Sequence, residues 1–276
     1  MASPSLAHEL SRNDLSGHNE GKQPARIHAH PLDWWMLAGV AIAIVATIAG
    51  IALTHAKLAY FFQPTGALIV LGGTLGVTLM TAPRLSLLRS ARRVAGLFRP
   101  RTVSREALAE EMIGYARSTR KAGMLSIEPL IARASHPFLR DMMALAIEVK
   151  SRAEFQAAVE AKARLRERQG EADARALEIA GGFAPTIGVL GTVVGLIDVL
   201  QRFSEPATIA MGIGTAFVST IYGLALANLM LLPAACRIRV NVAEEFELEE
   251  MMLEGGLGLF DATHPALLRE RFSGYL

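Results

Sequence analysis

The stretch that decides the fold is Gly181–Leu200, GGFAPTIGVLGTVVGLIDVL. Between Glu178 and Asp198 lie 19 residues without a formal charge, about what a helix needs to cross ~30 Å of hydrocarbon. A helix that met only lipid would do better with leucine. This one carries Pro185, Thr186, Thr192 and glycines at Gly188, Gly191 and Gly195. One of its faces is therefore expected to meet protein at close range.

Three further stretches are free of charge: Trp35–Leu53, Phe61–Ala82 and Pro206–Cys236. With 51% hydrophobic residues and a mean hydropathy of +0.32, the chain reads as a polytopic membrane protein. The segment at Trp35 is no cleaved signal peptide: it starts late, its apolar run is long, and no A-x-A site follows. The expected fold class is an all-α integral membrane protein of four transmembrane helices, with a large helical cytoplasmic domain between the second and third. The expected divisions are a flexible tail at 1–33, spans at 34–54, 62–83, 178–201 and 207–233, the helical domain at 84–177, and a helical C-terminal tail at 234–276.

Charge sets the orientation. Of the 28 Lys and Arg, 26 fall before Trp34, between Pro83 and Glu178, or after Pro233, leaving only Lys57 and Arg202 for the two short loops. Arg84, Arg89, Arg92 and Arg93 follow the second span, and Arg237 and Arg239 the fourth. The positive-inside rule then places both termini and the large loop in the cytoplasm. The single Cys236 excludes an internal disulfide and suits a reducing compartment.

Within the loop, Ser104 is a plausible N-cap for a helix that stops at Gly123. Residues Phe155–Ala180 form a second amphipathic helix that runs straight into the third span, and Val240–Phe260 a third, acidic one. His28 and His30 have no Cys or carboxylate cluster beside them, so no metal site is expected. Nucleic acid is not expected either: the formal charge is only +2, and the arginines alternate with acids without aromatics to stack bases.

No nucleotide-binding, nucleophile-elbow or zinc-protease motif occurs, so neither an enzyme nor a cofactor is expected. No span carries an ionisable residue near its middle. If the protein moves a cation, the titrating group must come from another chain. Gly188, Thr192 and Gly195, flanked by Gly191, form a small-residue stripe on the third span. Gly212, Ala216, Thr220, Gly223 and Ala227 repeat at intervals of three or four on the fourth. Such stripes bring helix backbones together. Each hydroxyl alone could simply bond its own i−4 carbonyl. Thr192, Ser219 and Thr220 together are expected to make a polar patch whose oxygens could hold a partly dehydrated cation. Pro185 and Pro233, near the inner ends of these spans, are expected to kink or hinge them, or merely to mark helix ends.

The pair APTIGVLGTVVGLI and STIYGLALANLMLLP resembles the last two membrane helices of the MotA/PomA family of flagellar stator proteins, within the MotA/TolQ/ExbB ion-channel superfamily. In the loop, RSTRKAGMLSIE is similar to that family's rotor-contact segment, which falls on Arg120, Lys121 and Glu128. The resemblance spans roughly residues 35–275; the polar N-terminus is longer than typical. It implies a subunit whose five copies surround two single-span MotB/PomB-like helices, each bringing an aspartate. Cation flow past Thr192, Ser219 and Thr220, with Pro185 and Pro233 as conformational hinges, would drive rotation against the rotor protein FliG in the inner membrane. Sodium-type members usually carry Thr-Thr where this chain has Ser219-Thr220, and proton-type members Ala or Gly at Thr192 and Ser219. The transported ion is thus sodium by these hydroxyls, with proton as the alternative. A non-flagellar motor of the same superfamily and a passive membrane scaffold are the competing functions.

Overall fold

The computed structural model describes residues 34–53, 61–97, 104–201 and 206–276. The expected tail at 1–33, with His28 and His30, and the loop residues Lys57 and Arg202 lie outside them. The chain is helical throughout the described residues: α1 (Trp34–Leu53), α2 (Pro64–Thr81), α3 (Arg84–Gly96), α4 (Arg105–Ala122), the single turn α5 (Glu128–Ile131), α6 (Pro137–Glu148), α7 (Arg152–Gln201), α8 (Pro206–Ala225), α9 (Leu232–Phe260) and α10 (Pro265–Phe272). Helices that include α2, the C-terminal half of α7 and the run from Gly212 onward are long and apolar enough to cross a membrane. In α1, Ala38–Leu53 makes a shorter apolar helix.

Local chemistry sets the helix ends. The Ser104 hydroxyl accepts from Ala107 N at 3.0 Å and caps α4. That helix stops where Gly123 turns to φ 79°, a backbone conformation that costs glycine little. His136 and His264 cap α6 and α10 through Nδ1, each followed by a proline at the first helical position.

The helices sort into an apolar bundle and a helical head. The head buries Phe138, Phe155, Phe272, Leu108, Met112, Met143, Met251 and Met252 in one core. Two expectations change here. The C-terminal segment 234–276 is no tail, since Met251, Met252, Leu257, Leu268 and Phe272 complete the core of the 84–177 segment. Val240–Phe260 is not a separate helix either. It is the continuation of the apolar helix through a π-helical segment at Leu226–Leu231 into α9. Both changes have one cause: Val242, Met251 and Met252 are covered by residues distant in sequence, which an amphipathic pattern cannot name.

Candidate functional site: the seam between α7 and α8

Small residues bring α7 and α8 together. A methyl group added to Gly188 would lie 2.9 Å from Ser219 O and 3.2 Å from the Cα atoms of Thr220 and Gly223. Gly195 faces Ala216, Gly212 faces Val199, and Gly223 rests on the Ala184 carbonyl. Ala227 is fully buried in the π segment. Gly191 sits against Ser219 and Ile69, so α2 joins this seam as a third helix.

Two of the three expected hydroxyls meet here. Thr192 is buried. Its Oγ1 lies 2.6 Å from Thr220 Oγ1, 3.1 Å from the Ala216 carbonyl and 3.3 Å from the Gly188 carbonyl. Thr192 donates to one carbonyl and accepts from Thr220, so both oxygens are satisfied without burying an orphan. Ser219 does not join them. It is 3% exposed, and its hydroxyl packs against Gly66 of α2 and Gly191 of α7. The expectation of one three-hydroxyl patch is corrected on this point. Neighbouring helical residues point about 100° apart, so Thr220 bonds Thr192 while Ser219 sits between Gly191 of α7 and Gly66 of α2.

Pro185 lies inside α7, which continues unbroken to Gln201. Pro233 does not mark a helix end, because α9 runs on to Phe260. It follows the π segment directly, and Gly181 of α7 packs against Leu231 and Leu232 there. The missing N–H of Pro185 leaves the Gly181 carbonyl without its helical partner, so irregular backbone on both helices falls at one level. The sequence carries no direct signal of a π-helical turn.

Two further features escaped the sequence reading. Tyr222 on α8 clamps the start of α2: its hydroxyl donates to the Phe61 carbonyl and accepts from Gln63 N at 3.0 Å. Asp173 on α7 is completely buried among arginines of α3. Arg120 and Lys121 end α4 and Glu128 opens α5, all three exposed. No hydrogen bond or ion pair ties Glu128 to either base among the described residues. No cluster of three His, Cys, Asp or Glu suited to a metal occurs among the described residues.

The geometry first defines a class: an all-helical membrane protein whose apolar seam buries a hydroxyl pair beside a helical head. Residues 131–251 match the model of the MotA/TolQ/ExbB proton channel family. Motility protein A of Bacillus subtilis is 27% identical over 250 residues, covering 89% of this chain and 91% of that protein. Chemotaxis protein PomA of Vibrio alginolyticus is 24% identical over 87% of this chain and 92% of its own length. A chain of the flagellar MotAB stator complex from Bacillus subtilis superposes with a TM-score of 0.80 at 26% identity, covering 87% of this chain and 94% of that one.

Proposed function

We propose that this chain is the ring-forming stator subunit of a bacterial flagellar motor, converting cation flow into torque together with a MotB/PomB-like single-span partner. The observation that carries this reading is the Thr192–Thr220 hydroxyl pair, whose described neighbours are backbone carbonyls and small residues with no carboxylate among them. Fixed hydroxyl and carbonyl oxygens can solvate a passing cation, but a charge that binds and releases it has to come from a partner helix. The likeness to a MotAB stator chain supplies the partner's class. Five copies would surround two partner helices in the inner membrane, four spans to each copy, with the head and both termini cytoplasmic.

Pro185 and the π segment before Pro233 act as paired hinges that respond as the partner's aspartate loads and discharges. The exposed Arg120, Lys121 and Glu128 face the rotor protein FliG, as a mixed-sign patch steers and registers a charged partner. Sodium is the proposed ion, because Thr192 and Thr220 with the Gly188 and Ala216 carbonyls converge four oxygens.

The test is to express the chain with such a partner in a swimming host that lacks its own stator. Restored rotation supports the reading; a membrane-inserted complex that conducts cations without rotating the flagellum refutes the flagellar part. Thr192→Ala should abolish sodium-dependent rotation while the complex still reaches the membrane. Motility that persists in sodium-free medium and collapses with a protonophore assigns the proton instead. Charge reversal at Arg120 and Glu128 should impair rotation, with matching reversals on the rotor partly restoring it.

A further inference from the structure

We propose that Asp173 anchors an ion-pair collar joining α3, α7 and α9, and that this collar is the fulcrum through which bending at Pro185 moves the head. The proposal rests on the stator reading above. One helix, α7, carries both Thr192 in the seam and Phe155 in the head core, roughly 55 Å apart at 1.5 Å per residue. Pro185 lies between them and is the soft point. Any displacement started beside Thr192 has to travel down this helix to reach the head.

Below Pro185 the helix is bolted. Arg89 Nε donates to both Asp173 carboxylate oxygens, at 2.9 and 3.2 Å. Arg93 Nε donates to Oδ2 at 3.1 Å. Ser90 Oγ lies 2.6 Å from the Asp173 backbone carbonyl. Arg93 also reaches Glu245 on α9 at 3.6 Å, and Arg239 of α9 returns to Glu178 of α7 at 2.7 Å. Gly170 lets Val242 of α9 close against α7 in the same zone. Above Pro185, the α7–α8 contacts described are small apolar groups and one hydroxyl pair.

The orientation of α3 adds a second observation. It buries Ser86 and Ser90 while leaving Leu85 and Leu88 exposed at 68% and 59%. A helix docked by the hydrophobic effect would do the reverse. Its polar contacts with Asp173, together with Val94 and Leu97 packed on Ala174, Ile238 and Val242, set its seating. Buried ion pairs are poor sources of net stability, and apolar replacements often do as well. What a guanidinium fork gives is a fixed direction and spacing. With α3 pinned to α7, the long helix cannot slide to absorb a bend above the collar, so the bend appears as movement below it.

The experiment measures cation uptake by the complex with its single-span partner in proteoliposomes, and stall torque in tethered cells. Asp173→Asn keeps the shape and removes the charge; uptake should stay at the wild-type level per complex while stall torque falls several-fold. Arg93→Gln, which leaves Arg89 on Asp173, should lose part of the torque, and Arg93→Lys should retain most of it. Arg93→Gln reads the same ratio if Asp173→Asn fails to reach the membrane. Torque and uptake falling in proportion would make the collar a folding element only, and unchanged torque in both variants would dismiss it; either overturns the proposal. A wild-type complex that neither conducts nor rotates would refute the stator reading itself, and this proposal with it.

Discussion

Glycines meet different neighbours in the two halves of the molecule. In the seam, a methyl at Gly188 would press on the Ser219 carbonyl and on two Cα atoms, and one at Gly223 on the Ala184 carbonyl. In the head, a methyl at Gly255 would meet the tip of Met112 and the Phe272 ring edge, and one at Gly256 the Phe155 ring. Lipid is as apolar as leucine, so helices in it are held by close backbone approach. The head instead buries large side chains in one core, and their ends can yield. The seam is therefore the less forgiving half.

The contrast breaks most sharply at Gly188. Gly188→Ala forces two helix backbones apart and should cost about 3 kcal/mol, at the upper end of overpacking effects. Gly255→Ala needs the flexible end of Met112 to move and the Phe272 ring edge to give slightly, and should cost about 1 kcal/mol. Thermal unfolding of both variants in one detergent measures the difference. Equal losses would mean that the seam relaxes as readily as the head.

How much of this was legible depends on what each residue faces. The apolar helices could be read from charge-free length, because lipid acts on every residue of a span alike. The stripes Gly188–Thr192–Gly195 and Gly212–Ala216–Thr220–Gly223 could be read because one helix contacts another along a single face. Ser219 could not be placed, since its direction is set by Gly66, 153 positions away. Asp173 lies in the charged helix Phe155–Ala180, and the sequence alone does not set it apart from the acids around it. A signal was nevertheless present: Ser86, Arg89, Ser90 and Arg93 fall at helical spacing and make α3 polar on the side it buries.

The halves also differ in how they treat a buried polar group. In the seam, Thr192 and Thr220 satisfy each other. In the head, Glu249 is 3% exposed and bonds Arg166 at 3.0 Å. Burial still raises its pKa from 4.5 to about 7, with Glu245 adding to the rise and Arg166 and Lys162 opposing it. A carboxyl whose folded pKa is raised holds its proton more tightly when folded. Stability should fall as pH rises from about 4.5 to about 7 and level off beyond, by roughly 3 kcal/mol in all. Chemical unfolding of the wild type and Glu249→Gln across this window checks it. The slope should vanish in the variant; a slope that survives assigns the titration to another group.

A smaller effect is expected from the seam's own polar pair. Thr192→Val keeps the shape but removes one hydroxyl from a bonded pair, leaving Thr220 to find another acceptor. A neutral hydrogen bond contributes about 1 kcal/mol net, so a loss of that size is expected in the same detergent melt. A loss several times larger would mean that the pair, and not close backbone approach, holds α7 to α8.

The last test reverses the roles of glycine and alanine. The seam uses glycine for closeness, whereas the head places an alanine where the backbone favours glycine: Ala262, just past the end of α9, has φ 48°. The left-handed region brings Cβ near the following carbonyl and costs an L-residue about 1–2 kcal/mol. Ala262 is exposed, so losing its methyl removes no core packing. Glycine would release that strain but give the unfolded chain more freedom, an opposing effect of about 0.5–1 kcal/mol. The balance predicts that Ala262→Gly stabilises the head by about 0.5 kcal/mol, in contrast to the loss at Gly188→Ala. The melting temperature of the complex should rise slightly with conduction unchanged. A drop would mean that the Ala262 methyl makes a contact worth more than its strain, and the head would then depend on one closely fitted atom much as the seam does.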